Sequence, residues 1–571
     1  MIKPRKAVME MEEYNPPTSG RGKFLRMDFN ENLAGCSPKA IRALKSIKQN
    51  DLSAYPEYSK LCKNLAGYFK IIPEEVIPTN GTDEAIKAVI ETYIEKGKDE
   101  IIIPVPTYAM FKFYAQLNEA IIKEMPYNDG LSFPAKKVLN AISKKTKIVV
   151  LVNPNNPTGT SISREDINKI LEKAKENNSI VLIDEAYCRF SSNSSVPLIK
   201  SYENLIVTQT FSKAFGLAGL RLGCIISNKN NIKIIKKVLS PYSVNIAASV
   251  CASAALKDIN YIRWYAKEIE ESKSILYSAM DCLGIKYFRS DANFVLLKIG
   301  KKLKYFCEEL KKSGILARDR GADALLEGCV RVTLGTKKQT KILAKSISKI
   351  IKNINPLLIF DIDGVLADVS NSYRIAIKQT AEYFTGEEIS PDEIQNYKNR
   401  GGYNNDWDLA ESVIKSRGKI TEKNKIIKKF QAYYKKSAGN EKWLLNKKIL
   451  MNLSKIYNLA IFTGRPGKEA DYVLRKNNVK KFFQSVVAME DISMQKPNPE
   501  GIVKILSQFA KPDAFYFGDT VDDMKSAVSA NAIPIGILPP QDKSSGLKNI
   551  LMRAGAKCVL DDINKISEAL K

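Results

Sequence analysis

The chain has 571 residues, an apolar content of 44% and a formal net charge of +27. This length exceeds one ordinary domain, so we expect two or three, and no apolar run approaches the length of a membrane span. The sequence contains no histidine, which excludes Ser-His-Asp and Cys-His catalysis, histidine-based zinc sites and histidine general bases.

Cysteine and lysine usage narrows the class of protein further. The nine cysteines include no Cys-x-x-Cys pair, which is typical of reduced thiols, so we expect a cytoplasmic protein without disulfides or a zinc knuckle. Residues 1–14 have no apolar core, and we expect no signal peptide. The lysines are spread over predicted helix faces, which favours anionic metabolites as partners. We expect no membrane partner and no nucleic-acid partner, since only net charge supports the latter.

Predicted strands and helices alternate in the N-terminal half. A short strand is predicted at residues 26–29. A helix is predicted to start at Ser37-Pro38, because serine caps a helix and proline fits its first turn. Helices are also predicted at 85–95, at 107–117 and from 163, and strands at 100–103, 121–125, 147–152, 180–183 and 205–207. This alternation predicts a parallel sheet with helices on both faces.

Polar motifs follow three of these strands. They contain Asn156, Asp184 with Tyr187, and Lys213. Ligands of such sheets collect at the carboxyl ends of strands, so we expect these motifs to converge. The segment from Asn80, before the helix at 85–95, offers a hydroxyl and free backbone N–H groups, and it is either an anion site or a plain helix cap.

The segment around Lys213 suits a covalent anchor beside a phosphate site. A lysine amine forms a Schiff base with an aldehyde cofactor that is held near it. The hydroxyls of Thr210 and Ser212 and the guanidinium of Arg221 suit a phosphate dianion. Asp184 follows a buried strand and is a candidate to pair with the pyridinium nitrogen of such a cofactor. This pairing keeps the nitrogen protonated and makes the cofactor ring an electron sink. A surface loop with a solvated lysine is the alternative for this segment taken alone.

Residues 228–312 are predicted to be mostly helical, with strands of a smaller lobe at 293–297, 314–318 and 330–334 and a lysine-rich helix at 337–353. Asn355-Pro356 then interrupts the chain, and an apolar strand begins at Leu357. We therefore predict two domains, residues 1–355 and residues 356–571.

The motifs of the first domain carry a family resemblance. Asn153-Pro-Asn-Asn-Pro-Thr-Gly, Asp184-Glu-Ala-Tyr and the segment from Ser212 to Gly223 resemble the fold-type I, pyridoxal-phosphate-dependent aminotransferases, most of all the histidinol-phosphate aminotransferases. The resemblance covers about residues 14–353. It implies an α/β fold with a large α/β/α domain and a small α+β domain, and pyridoxal 5'-phosphate as cofactor.

The resemblance also implies roles for single residues. Lys213 is the catalytic residue that forms the imine with the cofactor, and Asp184 pairs with the ring nitrogen. Tyr55 reaches the cofactor phosphate of a partner subunit, which implies a homodimer. The other cofactor-binding residues that it implies are Thr82, Asp83, Tyr108, Asn156, Tyr187, Thr210, Ser212 and Arg221.

Three residues match substrate-binding positions of the family, namely Tyr14, Arg318 and Arg331. The two arginines are expected to hold the anionic end of the substrate. The implied reaction exchanges an amino group between L-histidinol phosphate and 2-oxoglutarate, giving imidazole-acetol phosphate and L-glutamate. The expected partners are therefore small phosphorylated metabolites and glutamate or 2-oxoglutarate.

A second set of motifs follows predicted strands in the second domain. These are Asp361-Ile-Asp363-Gly, Thr463-Gly-Arg-Pro, Lys496-Pro-Asn-Pro and Gly518-Asp519-Thr-Val-Asp-Asp523. Residues of these types suit phosphoryl transfer. One carboxylate can attack phosphorus as a nucleophile, and a second carboxylate two residues further on can protonate the leaving oxygen. Magnesium held by carboxylates neutralises the phosphoryl oxygens, and a lysine and a threonine complete the cradle. Asp-x-Asp-Gly alone would also suit a calcium-like loop or a turn.

This set resembles the haloacid dehalogenase superfamily over about residues 356–571. The resemblance implies a Rossmann-like domain with a helical cap at about 370–450. It implies Asp361 as nucleophile and Asp363 as acid and base, with Thr463 and Lys496 binding phosphate. The implied Mg²⁺ site comprises Asp361, Asp363, Asp519 and Asp523.

The two resemblances together predict a bifunctional enzyme of histidine biosynthesis, in which the second domain releases histidinol. An alternative keeps both chemistries but changes the substrates, to an aminotransferase or phosphothreonine decarboxylase of other specificity fused to a phosphoglycolate-phosphatase-like hydrolase. A non-catalytic or nucleic-acid-associated protein with a basic surface is the third hypothesis. Intact Lys213 and Asp361 argue against it.

Overall fold

The computed structural model describes residues 2–13, 19–191, 193–400, 402–403, 405–509 and 513–570. The chain divides into two compact units, Met1–Ser348 and Lys349–Lys571, called the first and second unit below. Tyr14, predicted to contact substrate, lies outside the described residues. Every cysteine is a free thiol. In the described part of the chain, no helix has both the length and the apolar character that crossing a membrane requires.

The first unit is built on a seven-stranded sheet, a four-stranded sheet and a two-stranded ribbon. Its strands are β1 Leu25–Arg26, β2 Val76–Thr79, β3 Glu100–Val105, β4 Ile121–Pro126, β5 Thr146–Val152, β6 Ile180–Asp184, β7 Leu205–Thr210, β8 Gly223–Ile226, β9 Lys286–Phe288, β10 Phe294–Lys298, β11 Ile315–Leu316, β12 Arg318–Asp319 and β13 Cys329–Thr333. Its helices are α1 Lys6–Met9, α2 Pro38–Lys45, α3 Gln49–Ser53, α4 Ser59–Phe69, α5 Gly81–Tyr93, α6 Met110–Leu117, α7 Ala135–Ala141, α8 Arg164–Glu176, α9 Lys229–Ile235, α10 Ile246–Ala255, α11 Ile259–Cys282, α12 Leu303–Lys312 and α13 Lys337–Ile354, the last of which extends beyond the division of the units.

The large sheet has the spatial order β2-β8-β7-β6-β5-β3-β4. Its central strands carry nearly continuous apolar runs, because helices cover both of their faces. Val149 and Leu151 of β5 pack into one apolar core, whereas Ile148 and Val150 pack into another on the opposite face. The sheet therefore separates two hydrophobic layers and carries polar residues at its carboxyl edge.

The prediction of a parallel sheet is confirmed from β3 to β7 and wrong at β8, which runs antiparallel to both of its neighbours. Neither β2 nor β8 was predicted. Strand β2 contains Pro78, which weakens a strand pattern and suits the edge position that β2 occupies. Helix α5 begins at Gly81, four positions before the predicted start at residue 85.

The second unit contains a six-stranded parallel sheet with the spatial order β18-β17-β14-β19-β20-β21. The strands of this unit are β14 Leu357–Phe360, β15 Ala367–Asp368, β16 Lys442–Trp443, β17 Asn458–Phe462, β18 Ser485–Val487, β19 Ala514–Gly518, β20 Ile533–Ile537 and β21 Cys558–Leu560. Its helices are α14 Tyr373–Thr385, α15 Pro391–Arg400, α16 Asp406–Ser416, α17 Lys423–Ser437, α18 Lys447–Ile456, α19 Gly467–Lys476, α20 Glu500–Leu506, α21 Val521–Ser529, α22 Ser545–Arg553 and α23 Ile566–Ala569.

Helices α14 to α17, called the cap helices below, share an apolar core of their own around residues such as Ile377, Leu409 and Phe430. The chain enters them after β15 and leaves them before β16, and these two short strands pair antiparallel. In the main sheet, β14 lies between β17 and β19. The motifs that follow these three strands therefore meet at one edge of the sheet.

Candidate active sites

Lys213 lies in the turn after β7, and its Nζ donates a hydrogen bond to the carbonyl oxygen of Phe29 at 2.8 Å. The same nitrogen lies 5.8 Å from the ring centre of Tyr187. Burial of the amine and the neighbouring charge of Arg331 lower the pKa of Lys213 to about 8. About a tenth of the amine is therefore neutral and nucleophilic at pH 7, far more than for an ordinary lysine.

Asp184 ends β6 and is only 3% exposed. Its Oδ1 accepts hydrogen bonds from the Thr208 hydroxyl at 3.1 Å and from the Ala186 N–H at 3.2 Å. Burial raises the pKa of this carboxyl to about 7. Within the described part of the chain no hydrogen bond reaches Oδ2, so this second carboxylate oxygen suits a cationic N–H group supplied by a ligand.

Tyr187 and Asn156 are held by residues distant in sequence. The Tyr187 hydroxyl accepts a hydrogen bond from Asn30 Nδ2 at 2.9 Å, and Asn156 Oδ1 accepts one from Arg331 Nη1 at 2.5 Å. Arg318 of β12 is the direct cross-strand neighbour of Arg331 in β13. Two like charges in this position repel each other, and an anion bound to both would relieve the repulsion.

A hydrogen-bonded chain of side chains lies at the start of α5. Asp83 accepts from the Tyr108 hydroxyl at 2.8 Å and from Arg221 Nη2 at 2.9 Å. Gly81 has a φ of +79°, and a Cβ at this residue would lie 2.8 Å from Arg221 Nη2. A Cβ at Gly223 would lie 2.7 Å from the Thr82 nitrogen. Two glycines thus allow the arginine and strand β8 to approach the helix N-terminus, a favourable place for an anion.

Thr210 and Ser212, which were also predicted to bind the cofactor phosphate, lie close together. The Ser212 N–H donates to Thr210 Oγ1 at 3.1 Å. Tyr55 differs from the rest because it is 79% exposed and stacks on Tyr242 with ring centres 4.4 Å apart. Within a single chain its described contacts join it to none of the residues around Lys213.

In the second unit, carboxylate oxygens of Asp361, Asp519 and Asp523 all lie within 4.8 Å of one another. Lys496 Nζ lies 3.2 Å from Asp361 and 2.8 Å from Asp523. Burial and the neighbouring Asp523 raise the pKa of Asp361 to about 7, although Lys496 opposes the shift. Burial also opposes ionisation of Asp523, but Lys496 lowers its pKa below the ordinary value.

Asp519 is the least compensated of these acids, because the described residues include no lysine or arginine in an ion pair with it. Burial and the charges of Asp523 and Asp361 raise its pKa well above the ordinary value. Gly364, with a φ of +72°, lies against this side chain, and a Cβ there would be 2.1 Å from Asp519 Oδ2. Three carboxylates with one lysine leave an excess of negative charge that a divalent cation would neutralise.

The structure does not bring the Asp363 carboxylate into this group. It pairs instead with Arg465, whose Nε donates to Asp363 Oδ1 at 2.6 Å. Asp363, predicted as a metal ligand, thus lies outside the group of carboxylates around Asp519, because the arginine holds its side chain. Thr463 is fully buried, and its hydroxyl accepts from the Arg465 N–H at 3.2 Å.

Residues 23–347 match the family model of aminotransferase class I and II. The chain belongs to this family. Residues 358–537 match the model of haloacid dehalogenase-like hydrolases, so the second unit carries a hydrolase domain of that type. The protein therefore combines a pyridoxal-phosphate-dependent aminotransferase with a phosphatase, and the expected fold classes of both parts are confirmed.

Sequence relatives of the aminotransferase unit include several histidinol-phosphate aminotransferases. A histidinol-phosphate aminotransferase of Thermoanaerobacter sp. (strain X514) is 35% identical over 336 residues, which cover 57% of this chain and 93% of the relative. The crystal structure of the histidinol-phosphate aminotransferase from Clostridium acetobutylicum is 26% identical, with a TM-score of 0.54 over 57% of this chain and 98% of that one. The Sinorhizobium meliloti enzyme in complex with pyridoxal-5'-phosphate is 24% identical and shares the fold, with a TM-score of 0.55 over 60% of this chain and 97% of that one.

The first site fits pyridoxal phosphate by the chemistry of its groups. Lys213 supplies an amine with a lowered pKa, and Asp184 offers a second carboxylate oxygen that has no described donor. Arg221 and the start of α5 lie together where a phosphate would be held. In the second site the excess of carboxylates fits a divalent cation, with Asp361 and Asp519 as ligands and Asp523 anchored by Lys496 and Tyr516.

Sequence reasoning missed residues that act through distant contacts. Asn30 bonds Tyr187 and Thr333, and Thr208 bonds Asp184. Thr208 was accessible to prediction, since it lies in β7 directly beside Asp184 of β6. In the hydrolase unit the missed residue is Arg465, which stands inside a motif that was recognised but was given no role.

Proposed function

We propose that the aminotransferase unit interconverts imidazole-acetol phosphate and L-histidinol phosphate with glutamate and 2-oxoglutarate. The relative at 35% identity, which the chain covers almost completely, carries this proposal. The facing arginines Arg318 and Arg331 support it, because they suit the anionic end of a phosphorylated substrate. We propose that the hydrolase unit then releases phosphate from histidinol phosphate, since the product of the first reaction is a phosphate monoester.

In the aminotransferase unit, bound pyridoxal phosphate supplies the electron sink for the carbon that bears the amino group. Lys213 anchors the cofactor and moves the proton at that carbon. Asp184 would keep the pyridine nitrogen of the cofactor protonated, and Asn156 and Tyr187 would hold its ring oxygen. Thr82, Thr210, Ser212 and Arg221 would hold the cofactor phosphate at the N-terminus of α5, and Asp83 lies among them, where it accepts a hydrogen bond from Arg221. Tyr108 would pack on the cofactor ring.

In the hydrolase unit, Asp361 attacks phosphorus while Asp363 gives its proton to the leaving oxygen. Asp363 then takes a proton from the water that hydrolyses the aspartyl-phosphate. Lys496 and Thr463 stabilise the phosphoryl oxygens. Mg²⁺ held by Asp361 and Asp519 would neutralise the developing charge, and removal of divalent cations with a chelator should abolish hydrolysis but leave transamination unchanged.

The test uses the full chain and two single variants. The wild type should form 2-oxoglutarate from imidazole-acetol phosphate and glutamate and then release inorganic phosphate. Lys213→Ala should lose the first activity and keep phosphate release from added histidinol phosphate, whereas Asp361→Asn should show the reverse. Absence of transamination with the wild type would overturn the first proposal. Phosphate release from histidinol phosphate no faster than from unrelated esters would overturn the second.

One observation favours a second candidate for the hydrolase. Lys398 and Arg374 of the cap helices oppose the upward shift of the Asp519 pKa that burial and neighbouring acids cause, and Lys398 also pairs with Asp406. Cations beside a phosphate site suit an ester with a further acidic group, as in phosphoglycolate. Comparison of kcat/KM for phosphoglycolate and histidinol phosphate distinguishes the candidates, since a cationic ammonium substrate should be disfavoured near these side chains.

We also propose that the protein is a homodimer in the cytoplasm. The exposed side chains of Leu52 and of the stacked pair Tyr55 and Tyr242 support dimerisation, because each is more than half exposed in a single chain. Nine free thiols suit a reducing compartment.

A further inference from the structure

Arg465 is a fully buried arginine that joins two carboxylates at the edge of the hydrolase site. Its side chain has no exposed surface. Nε donates to Asp363 Oδ1 at 2.6 Å, and Nη2 lies 2.5 Å from the same oxygen. Nη1 donates to Glu441 Oε2 at 3.0 Å, and the guanidinium lies 4.7 Å from the ring centre of Tyr373. A buried guanidinium is costly unless it is paired, so the ion pairs through Nε and Nη1 hold Arg465, Asp363 and Glu441 together.

The contact with Arg465 occupies one carboxylate oxygen of Asp363 and leaves the other, Oδ2, available for proton transfer. Both guanidinium nitrogens converge on Oδ1, and in the described part of the chain no hydrogen bond or ion pair reaches Oδ2. Oδ2 is therefore the oxygen that remains free to exchange a proton with a substrate. The Asp363 side chain is 30% exposed, whereas that of Glu441 is 3% exposed, so Asp363 is the partner that a substrate can reach.

Glu441 connects the same arginine to both ends of the cap helices. Its Oε1 accepts from the Ser372 hydroxyl at 2.9 Å and from the Tyr434 hydroxyl at 3.2 Å. Ser372 directly precedes α14, and Tyr434 lies in the last turn of α17. The position of Asp363 is thus tied through Arg465 to the segments by which the chain enters and leaves the cap.

We propose that Arg465 is a positioning residue for proton transfer in the hydrolase reaction. Its fork holds Asp363 so that Oδ2 delivers the proton to the leaving oxygen. As an Asp361 oxygen bonds to phosphorus, the ester P–O bond breaks, and the Oδ2 proton passes to the departing alkoxide. Asp363 regains a proton from the water whose oxygen then displaces Asp361 from phosphorus. This inference rests on the proposed role of Asp363 as the acid.

The test compares two leaving groups on the full-length protein. An alkyl phosphate requires a proton on its leaving oxygen, whereas dinitrophenyl phosphate releases a stable phenolate without one. Arg465→Lys keeps the charge but loses the two-pronged contact. We expect kcat/KM to fall about 10- to 1000-fold for the alkyl ester and less than about threefold for the aryl ester, since general acid catalysis typically contributes about 10²- to 10⁴-fold. The ratio of the two rates is unaffected by any inactive fraction of the preparation.

Asp363→Asn separates the inference from the proposal on which it rests. An equal loss with both esters in Asp363→Asn would overturn the acid role of Asp363. A selective alkyl loss in Asp363→Asn, together with an unselective loss or no loss in Arg465→Lys, would overturn the positioning role of Arg465. Arg475→Lys is the matched control, because Arg475 pairs with Asp471 on the surface and is 69% exposed. It should leave both rates unchanged.

Discussion

Burial shifts the pKa of both Lys213 and Asp184 toward the neutral form, and each shift makes a measurable prediction. The pKa of Lys213 is about 8, so the amine of the cofactor-free protein is mostly charged below this pH and mostly neutral above it. Because only the neutral amine attacks an aldehyde, the rate of cofactor attachment should rise about tenfold per pH unit below pH 8 and level off above it. Stopped-flow absorbance measures this rate. An exposed lysine would keep the rate rising to about pH 10.

The Asp184 carboxylate should lower the free energy of unfolding of the cofactor-free protein at neutral pH. The folded-state pKa of about 7 exceeds the ordinary value of 3.8, so the folded state holds an extra proton between these pH values. This group therefore favours folding at low pH, and its contribution is lost as pH rises toward 7. Asp184→Asn should raise the cofactor-free stability above pH 7, by about 1–4 kcal/mol in thermal or urea unfolding. It should also abolish transamination.

Glu185→Gln is the matched control for this variant. Glu185 is also buried, but its carboxylate accepts from the Ser194 hydroxyl and Gln209 Nε2. Loss of these hydrogen bonds should destabilise the unit by about 1–3 kcal/mol while transamination persists. Equal loss of transamination in both variants would contradict a specific role for Asp184.

A site residue can be predicted from the sequence when the pattern that marks it lies within a few positions of it. It cannot be predicted when its partner lies far away along the chain. Lys213, Asp184 and Asp361 follow apolar strands within a few positions, so local pattern and motif locate them. Asn30 and Thr333 are 303 positions apart and meet only after folding. The pairing of Arg465 with Asp363 likewise spans 102 positions and no local pattern signals it.

At the scale of the elements, the turn after β14 requires a glycine at position 364 for two reasons. Gly364 combines a φ of +72° with a position where a Cβ would lie 2.1 Å from Asp519 Oδ2. Gly364→Ala should therefore displace Asp519 and lower hydrolysis at least about 100-fold, while transamination is retained. Gly386→Ala is the matched control, because Gly386 has a φ of +73° and no atom within 4 Å of its Cβ position. It should cost only about 1–2 kcal/mol of stability. Equal activity of the two variants would contradict the steric argument.

Elements that lack a strong local pattern were the ones that sequence could not predict. Strand β2 has four residues including a proline, and β8 begins at the glycine that ends the Arg221 motif. Their pairing depends on tertiary contacts, since β8 fits between β2 and β7 only with Gly81 and Gly223 in close approach. Long apolar strands such as β5 and β6 were predicted to within one residue at each end.

At the scale of the whole molecule, the proposed dimer makes Tyr55 a residue that acts on the partner's cofactor. In a two-fold dimer each site would combine Lys213 of one subunit with Tyr55 of the other. Lys213→Ala and Tyr55→Ala should each be impaired alone. A hybrid dimer would contain one site with both residues intact and one site with neither.

Co-expression of the two variants with different affinity tags measures this complementation. Random pairing should restore about a quarter of wild-type transamination, because half of the dimers are hybrids with one intact site of two. Hydrolysis of phosphate esters, which depends on Asp361, should be equal in all preparations and serves as the internal standard for protein amount. Transamination no greater than that of the separate variants would contradict action of Tyr55 across the subunit boundary. It would leave the exposed Tyr55–Tyr242 stack as a surface feature of each chain.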